Sequence, residues 1–158
     1  MTTPADVALT QLGVVEETGH NDGVPADRYM RGDKLAWCAG FVMWCYDESD
    51  WAPLYRSAKE YYRLRSVQAL EDAMKAKGVW YGSRLVGMLR PGDLVFHSTR
   101  AGSDAGRGRH VGLAVTGVLW PKEETFLTVD GNYGDKVSQR SVRVDEKSLT
   151  GFARPRSA

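Results

Sequence analysis

Apolar residues crowd into one short stretch, residues 37–46 (WCAGFVMWCY), which carries no charge until Asp47. A helix that is apolar all round is buried all round, so this reads as a core helix. The polar, glycine-containing run Arg31-Gly32-Asp33-Lys34 before it sets its start between residues 34 and 37, and it runs to about Glu48, ahead of the breaker Trp51-Ala52-Pro53. Upstream, Thr3-Pro4-Ala5-Asp6 has the signals of a helix start: a capping hydroxyl, proline at the first position and a carboxylate in the first turn. Val7, Leu9 or Thr10, Val14 and Val15 extend an approximate apolar stripe, which predicts a helix to about Glu17. Residues 18–33 read as a loop, opening on Gly-His-Asn-Asp-Gly. A second helical region spans residues 57–77. Within it Ser66 caps an amphipathic segment with Ala69, Leu70, Ala73 and Met74 on one side, and Gly78 stops it. Val79-Trp80-Tyr81 reads as extended.

From Leu89 the periodicity shortens. Arg90-Pro91-Gly92-Asp93 predicts a turn and residues 94–97 a strand. Residues 98–109, rich in Gly and Arg, predict an exposed loop. Residues 110–115 and 125–130 are apolar enough for two further strands, residues 136–144 alternate as a fourth, and residues 151–154 suit a last, edge strand. Helices first and antiparallel strands second define an α+β fold, with N-terminal helices packed on a C-terminal sheet. No repeat, linker or low-complexity segment interrupts the 158 residues, so one domain over residues 1–158 is expected, with no separate binding domain.

Composition narrows the functional classes. Hydrophobic content of 42% and charged content of 26% are ordinary for a globular chain. A formal net charge of +1 argues against a nucleic-acid partner. Positive charge is dense only locally, in Arg56, Lys59, Arg63 and Arg65, in Arg100, Arg107 and Arg109, and in Arg154 and Arg156, a pattern that suits solvated surface or an anionic polymer. No apolar run approaches the ~18 residues of a membrane span, and the N-terminus lacks the basic-then-apolar order of a secretory signal. The two cysteines, Cys38 and Cys45, fall about 10.5 Å apart on one helix at 1.5 Å per residue. That exceeds the ~7 Å Cα separation a disulfide tolerates, so both are expected to be reduced thiols.

Cys38 is therefore a thiol in the first turn of a buried helix, where unpaired N–H groups and the helix dipole favour thiolate over thiol. That suits an activated nucleophile, although a free cysteine is as a rule a small buried hydrophobe. A nucleophilic thiol needs a base, and the chain has three histidines: His20 in the early loop, His97 ending a strand, and His110 opening one after a long loop. Asp130 and Asn132 come at the next strand end and its turn, two residues apart and so on one face if the strand persists. Cysteine on the first buried helix, histidine on one strand and an acid or amide on the next is the order of a papain-like Cys-His-polar triad. A structural histidine and a turn-rich Asp-Gly-Asn-Tyr-Gly account for the same residues. Asp22, Asp27 and Asp33 offer oxygens of the kind calcium takes, but without the D-x-D-x-D-G regularity of a calcium loop. An ordinary polar loop is the stronger reading, and no metal or cofactor is expected.

Taken together, WCAGFVMWCY around Cys38, RPGDLVF at residues 90–96, HVGLAV from His110, VDGNYGDKVSQRSV from Val129, GFARP from Gly151 and the N-terminal ALTQLGVVEETGHN resemble the CHAP family of cysteine, histidine-dependent amidohydrolases and peptidases, of the papain-like superfamily. The resemblance covers nearly the whole chain in the same order. It implies Cys38 as nucleophile, His110 as base, and Asp130 and Asn132 as polar partners, with Asp130 standing where many members carry Glu. It further implies hydrolysis of a peptidoglycan amide bond, by a muramoyl-alanine amidase or a stem-peptide or cross-link endopeptidase. Tyr29 and Trp37, which flank the nucleophile, are then expected to line the substrate groove, although the same aromatics suit a core. A one-domain chain of this kind resembles a phage endolysin: a monomer made in the cytoplasm without a signal and acting on the wall after release, with no membrane insertion. A tail-associated lysin, a secreted antibacterial effector, a non-catalytic wall-binding module of the same fold and a different thiol enzyme are the alternatives.

Overall fold

The apolar segment does form a buried helix, with Trp37 as its cap. In the computed structural model, which describes residues 1–98, 109–118 and 124–155, helix α3 (Cys38–Asp47) follows α1 (Pro4–Thr10) and α2 (Val24–Tyr29). Of its ten residues only Trp44 and Asp47 escape full burial. Helices α1 and α2 and strand β3 of the sheet pack on it. Helices α4 (Ala58–Leu64) and α5 (Val67–Ala76) complete the helical layer. The helical region expected over residues 57–77 is thus two helices, each opened by a serine whose hydroxyl accepts a first-turn N–H: Ser57 from Glu60 and Ser66 from Ala69.

Two local expectations are corrected. Helix α1 stops at Thr10, well short of Glu17. Gly13 takes a left-handed φ of 88°, and the β-branched Val14 and Val15 run extended against Lys136 and Val137. The loop of residues 18–33 contains α2, started by Pro25 in its first turn behind a left-handed Gly23.

The sheet is six-stranded and antiparallel at every pairing, in the order β1-β6-β2-β3-β4-β5. Its strands are β1 (Trp80–Gly82), β2 (Leu94–His97), β3 (His110–Ala114), β4 (Thr125–Asp130), β5 (Ser138–Arg143) and β6 (Leu149–Ala153). Strand β6 was expected at an edge but lies between β1 and β2. Its Gly151 makes this possible, since a Cβ there would come within 2.4 Å of the Trp80 ring. Leu94, Phe96, Val111, Leu113 and Val129 join the core shared with α3, and the alternate residues Val95, Ala114, Phe126, Val142 and Phe152 form a second cluster closed by Val86 of a 3₁₀ turn, Ser83–Met88, and by Leu89, which caps that turn. Both faces of β2 and β3 are thus covered, which is why they read as nearly unbroken apolar runs. Arg154 after β6 donates to both carboxylate oxygens of Asp93, tying the Gly151–Pro155 and Arg90–Phe96 segments together. Among the described residues no helix is long and apolar enough to cross a membrane.

Candidate active site

Cys38 is the first residue of α3. The preceding Trp37 caps the helix without a side-chain hydrogen bond, so the N–H groups of the first turn keep no side-chain acceptor. Trp37 is itself fixed from below: its indole Nε1 donates to Oε1 of the buried Glu16 at 2.8 Å, and its ring stacks on Tyr29 at 5.5 Å. Tyr29 in turn donates its hydroxyl to Gln11. Both aromatics are essentially inaccessible, at 1% for Tyr29 and 0% for Trp37. The expectation that they line a groove is therefore corrected. They form the floor that holds the start of α3, and their polar tips are satisfied inside the protein.

His110 opens β3, and the sheet register fixes its company. Leu113 faces Val129 and Ala114 faces Thr128, so the same register sets Gly112 opposite Asp130. His110 and Gly112 share one face of β3. A Cβ on Gly112 would sit 2.1 Å from Asp130 Oδ1, so the missing side chain is the space in which the carboxylate lies. Asp130 is wholly buried. It accepts from His110 Nε2 at 2.8 Å and from Arg140 Nη1 at 3.0 Å. Cys38 is close enough to His110 to act on the charge of its ring, so the thiol, the imidazole and the carboxylate are electrostatic neighbours. A second close approach holds the layers together. A Cβ on Gly131 would lie 2.6 Å from Cβ of Phe41, so glycine lets the end of β4 rest directly on α3.

Burial works against a charged ring at His110, but the hydrogen bond to Asp130 and the contact with Cys38 outweigh it and raise its pKa to about 9. Asp130 is pushed up by burial and drawn down further by His110 and Arg140, so it stays below the usual carboxylate range. Cys45, two turns along α3, has no such company, and burial alone drives its thiol well up. Neither cysteine is in a disulfide.

Asn132 stands apart from this group. It lies in the turn after β4 with a left-handed φ of 55°, half-buried, and hydrogen-bonds neither His110 nor Asp130 among the described residues. The early aspartates also separate: Asp22 accepts from the N–H and hydroxyl of Thr18, Asp27 lies in the first turn of α2, and Asp33 pairs with Arg65 at 2.6 Å. Among the described residues no three acidic, histidine or cysteine side chains gather as metal ligands do.

Two clefts of about 330 Å³ flank the pair. Ala36, Cys38, Arg65, Ser66, Gln68 and Arg109 border the first. His97, Ser98, His110, Tyr133, Arg140 and Ser148 border the second. Of the basic residues singled out in the sequence, Arg65 and Arg109 thus lie beside Cys38 and Arg154 is used structurally, while Arg100, Arg107 and Arg156 fall outside the described residues, as does most of the loop expected over residues 98–109.

Arg140, Glu16 and Gly112 were not anticipated. Only Gly112 had a local signal, since a glycine inside a buried strand marks a close approach. We expect Gly112→Ala to push the Asp130 carboxylate out of line, and a His110 ring resonance moved toward its ordinary titration range checks this. No protein-family model matches the chain, and no curated protein matches it, so the site is defined by its own geometry.

Proposed function

We propose that this protein is a cysteine-dependent peptidoglycan hydrolase that cleaves an amide bond of the wall, as an endopeptidase or a muramoyl-alanine amidase. The observation that carries the chemistry is the His110–Asp130 pair, 2.8 Å apart with the carboxylate buried, beside the Cys38 thiol at the start of α3. The substrate class rests on the likeness of the motifs to CHAP peptidases. Arg65, paired with Asp33, and Arg109 border the cleft beside Cys38.

In this mechanism His110 takes the Cys38 proton, and the thiolate attacks the amide carbonyl carbon. Charge develops on the carbonyl oxygen, where first-turn N–H groups of α3 stabilise it. His110 gives its proton to the leaving nitrogen as the C–N bond breaks, leaving a thioester on Cys38. Water, deprotonated by His110, attacks the thioester and the thiolate departs. Asp130 holds the ring in one tautomer and stabilises its cation. The side-chain amide of Asn132 is assigned to the oxyanion or the substrate carbonyl, and Asn132→Ala is expected to lower the rate without reshaping its pH profile. The phage-endolysin setting, with action on the wall after release and as a monomer, belongs to this proposal.

Digestion of purified peptidoglycan, read by mass spectrometry, tests the function: new paired amino and carboxyl ends are expected, and intact sugar–peptide polymer after prolonged incubation would rule it out. Native-state labelling tests the nucleophile. Iodoacetamide is expected to modify Cys38 well before Cys45, whose thiol is sealed in α3, and preferential labelling of Cys45 would overturn the assignment.

A further inference from the structure

The second cleft contains a histidine that the mechanism does not use. His97 ends β2 directly opposite His110 in the sheet register, with ring centroids 6.3 Å apart. Its side chain is only 4% exposed. Nδ1 lies 2.9 Å from Glu146 Oε2 and 3.1 Å from Ser148 Oγ. Glu146 is held below the usual carboxylate range chiefly by this contact, so it is the acceptor and Nδ1–H the donor. The ring is thereby fixed in tautomer and in orientation, and Glu146 is steadied in turn by Ser148 at 2.9 Å and Arg140 at 3.8 Å. Among the described residues Nε2 has no partner, although it is buried. An orphaned polar atom on a ring held this firmly, in a ring that borders an open cleft, needs an explanation. In the neutral ring that atom is a lone pair, and it calls for a donor.

The position of the cleft says which donor. His110 borders the His97 side, and Cys38 borders the other cleft. The group that protonates the leaving nitrogen has to face it, so the part of the substrate carrying that nitrogen lies on the His110 side. We propose that the His97 cleft is the subsite for the amine portion of the substrate, with His97 Nε2 accepting a hydrogen bond from an amide or amino N–H of the residue that leaves. Tyr133, whose ring lies 4.2 Å from the Arg140 guanidinium, forms a wall beside it. The subsite rests on the hydrolase reading above, and it assigns His97 to leaving-group recognition and not to proton transfer.

A nucleophile-competition experiment separates the two. Purified peptidoglycan is digested with and without added glycinamide, and hydrolysed and aminolysed acyl ends are counted by mass spectrometry. In aminolysis the glycinamide nitrogen attacks the thioester carbonyl, its proton passes to His110, and the Cys38 thiolate leaves as the new amide forms. The amine must occupy the subsite to react, so the ratio of aminolysed to hydrolysed ends reports the subsite alone. Two variants are compared. His97→Asn keeps a donor for Glu146 near the position of Nδ1 and removes Nε2. His97→Gln places a carbonyl oxygen near the position of Nε2. The ratio is expected to fall about 5- to 10-fold in His97→Asn, the loss of one hydrogen bond, and to recover in His97→Gln, with the iodoacetamide alkylation rate of Cys38 the same in both as in the wild type. A ratio unchanged in His97→Asn overturns the subsite while leaving the hydrolase standing. A ratio that falls equally in both variants makes His97 merely structural and also overturns it. Wild-type protein that releases neither kind of end overturns the hydrolase reading and the subsite with it.

Discussion

His110→Ala is expected to lower the rate of wall hydrolysis by 10²- to 10⁴-fold, the usual loss when a positioned acid–base group is removed, while the fold is retained. The imidazole meets the Asp130 carboxylate through Nε2 at 2.8 Å and has Cys38 as its other interacting neighbour. Without it the thiol has no base and the leaving nitrogen no acid, so both halves of the reaction slow. The fold is expected to survive because His110 is at the start of its strand, and the residues that join β3 to the α3 core are Val111 and Leu113. Asp130 becomes a buried carboxylate without its His110 partner, which costs some stability, so circular dichroism at the assay temperature accompanies the rate measurement. Near-normal hydrolysis by a folded His110→Ala protein would mean that the base is another residue.

Asp130→Asn is expected to move the pH dependence as well as the rate. The wild-type His110 pKa of about 9 reflects two partners that favour the cation and together exceed the cost of burial. An amide in place of the carboxylate removes one of them, so the pKa falls toward its ordinary 6.5. The alkaline limb of the pH–rate profile, where the imidazolium loses its proton, shifts to lower pH by the same amount. Stability follows with a defined sign. A group whose folded pKa is raised above its unfolded value contributes stability that is complete below about 6.5 and is lost as pH rises through about 9. The melting temperature of the wild type is therefore expected to decline across that interval, and that of Asp130→Asn to decline less. Titration of the His110 ring protons by NMR reads the same shift without reference to activity. An Asn132→Ala profile that moves while that of Asp130→Asn stays fixed would reverse the two roles.

Much of this site was legible because it sits where local signals are strong. An uncharged apolar run marks α3, and the polar, glycine-containing turn before it marks the end at which Cys38 falls. The strands of His110 and Asp130 are short apolar runs bounded by turn residues, and these too carry their own signals. What failed to show depends on partners distant in the chain. Val14 and Val15 continue the stripe of α1, yet their β-branched side chains settle against residues 136–137 once Gly13 turns the backbone. Helix α2 hides in a glycine-rich stretch because it is a single proline-led turn and a half, too short for periodicity to reveal. Tyr29 and Trp37 precede Cys38 in sequence, but Glu16 and Gln11 supply the buried acceptors that draw them inward. Arg140 lies one strand beyond Asp130, and only the β4–β5 register, with Thr128 opposite Arg140, brings the guanidinium to the carboxylate.

The central claim is that Cys38 forms a covalent acyl intermediate with a wall peptide. It is tested most directly by acid-quenching the protein during peptidoglycan digestion and mapping adducts by peptide mass spectrometry, beside Cys38→Ala treated in the same way. The expected result is an added mass equal to an acyl fragment of the wall on the peptide containing Cys38, with no release of fragments by Cys38→Ala. Wall fragments released by Cys38→Ala at the wild-type rate would contradict it.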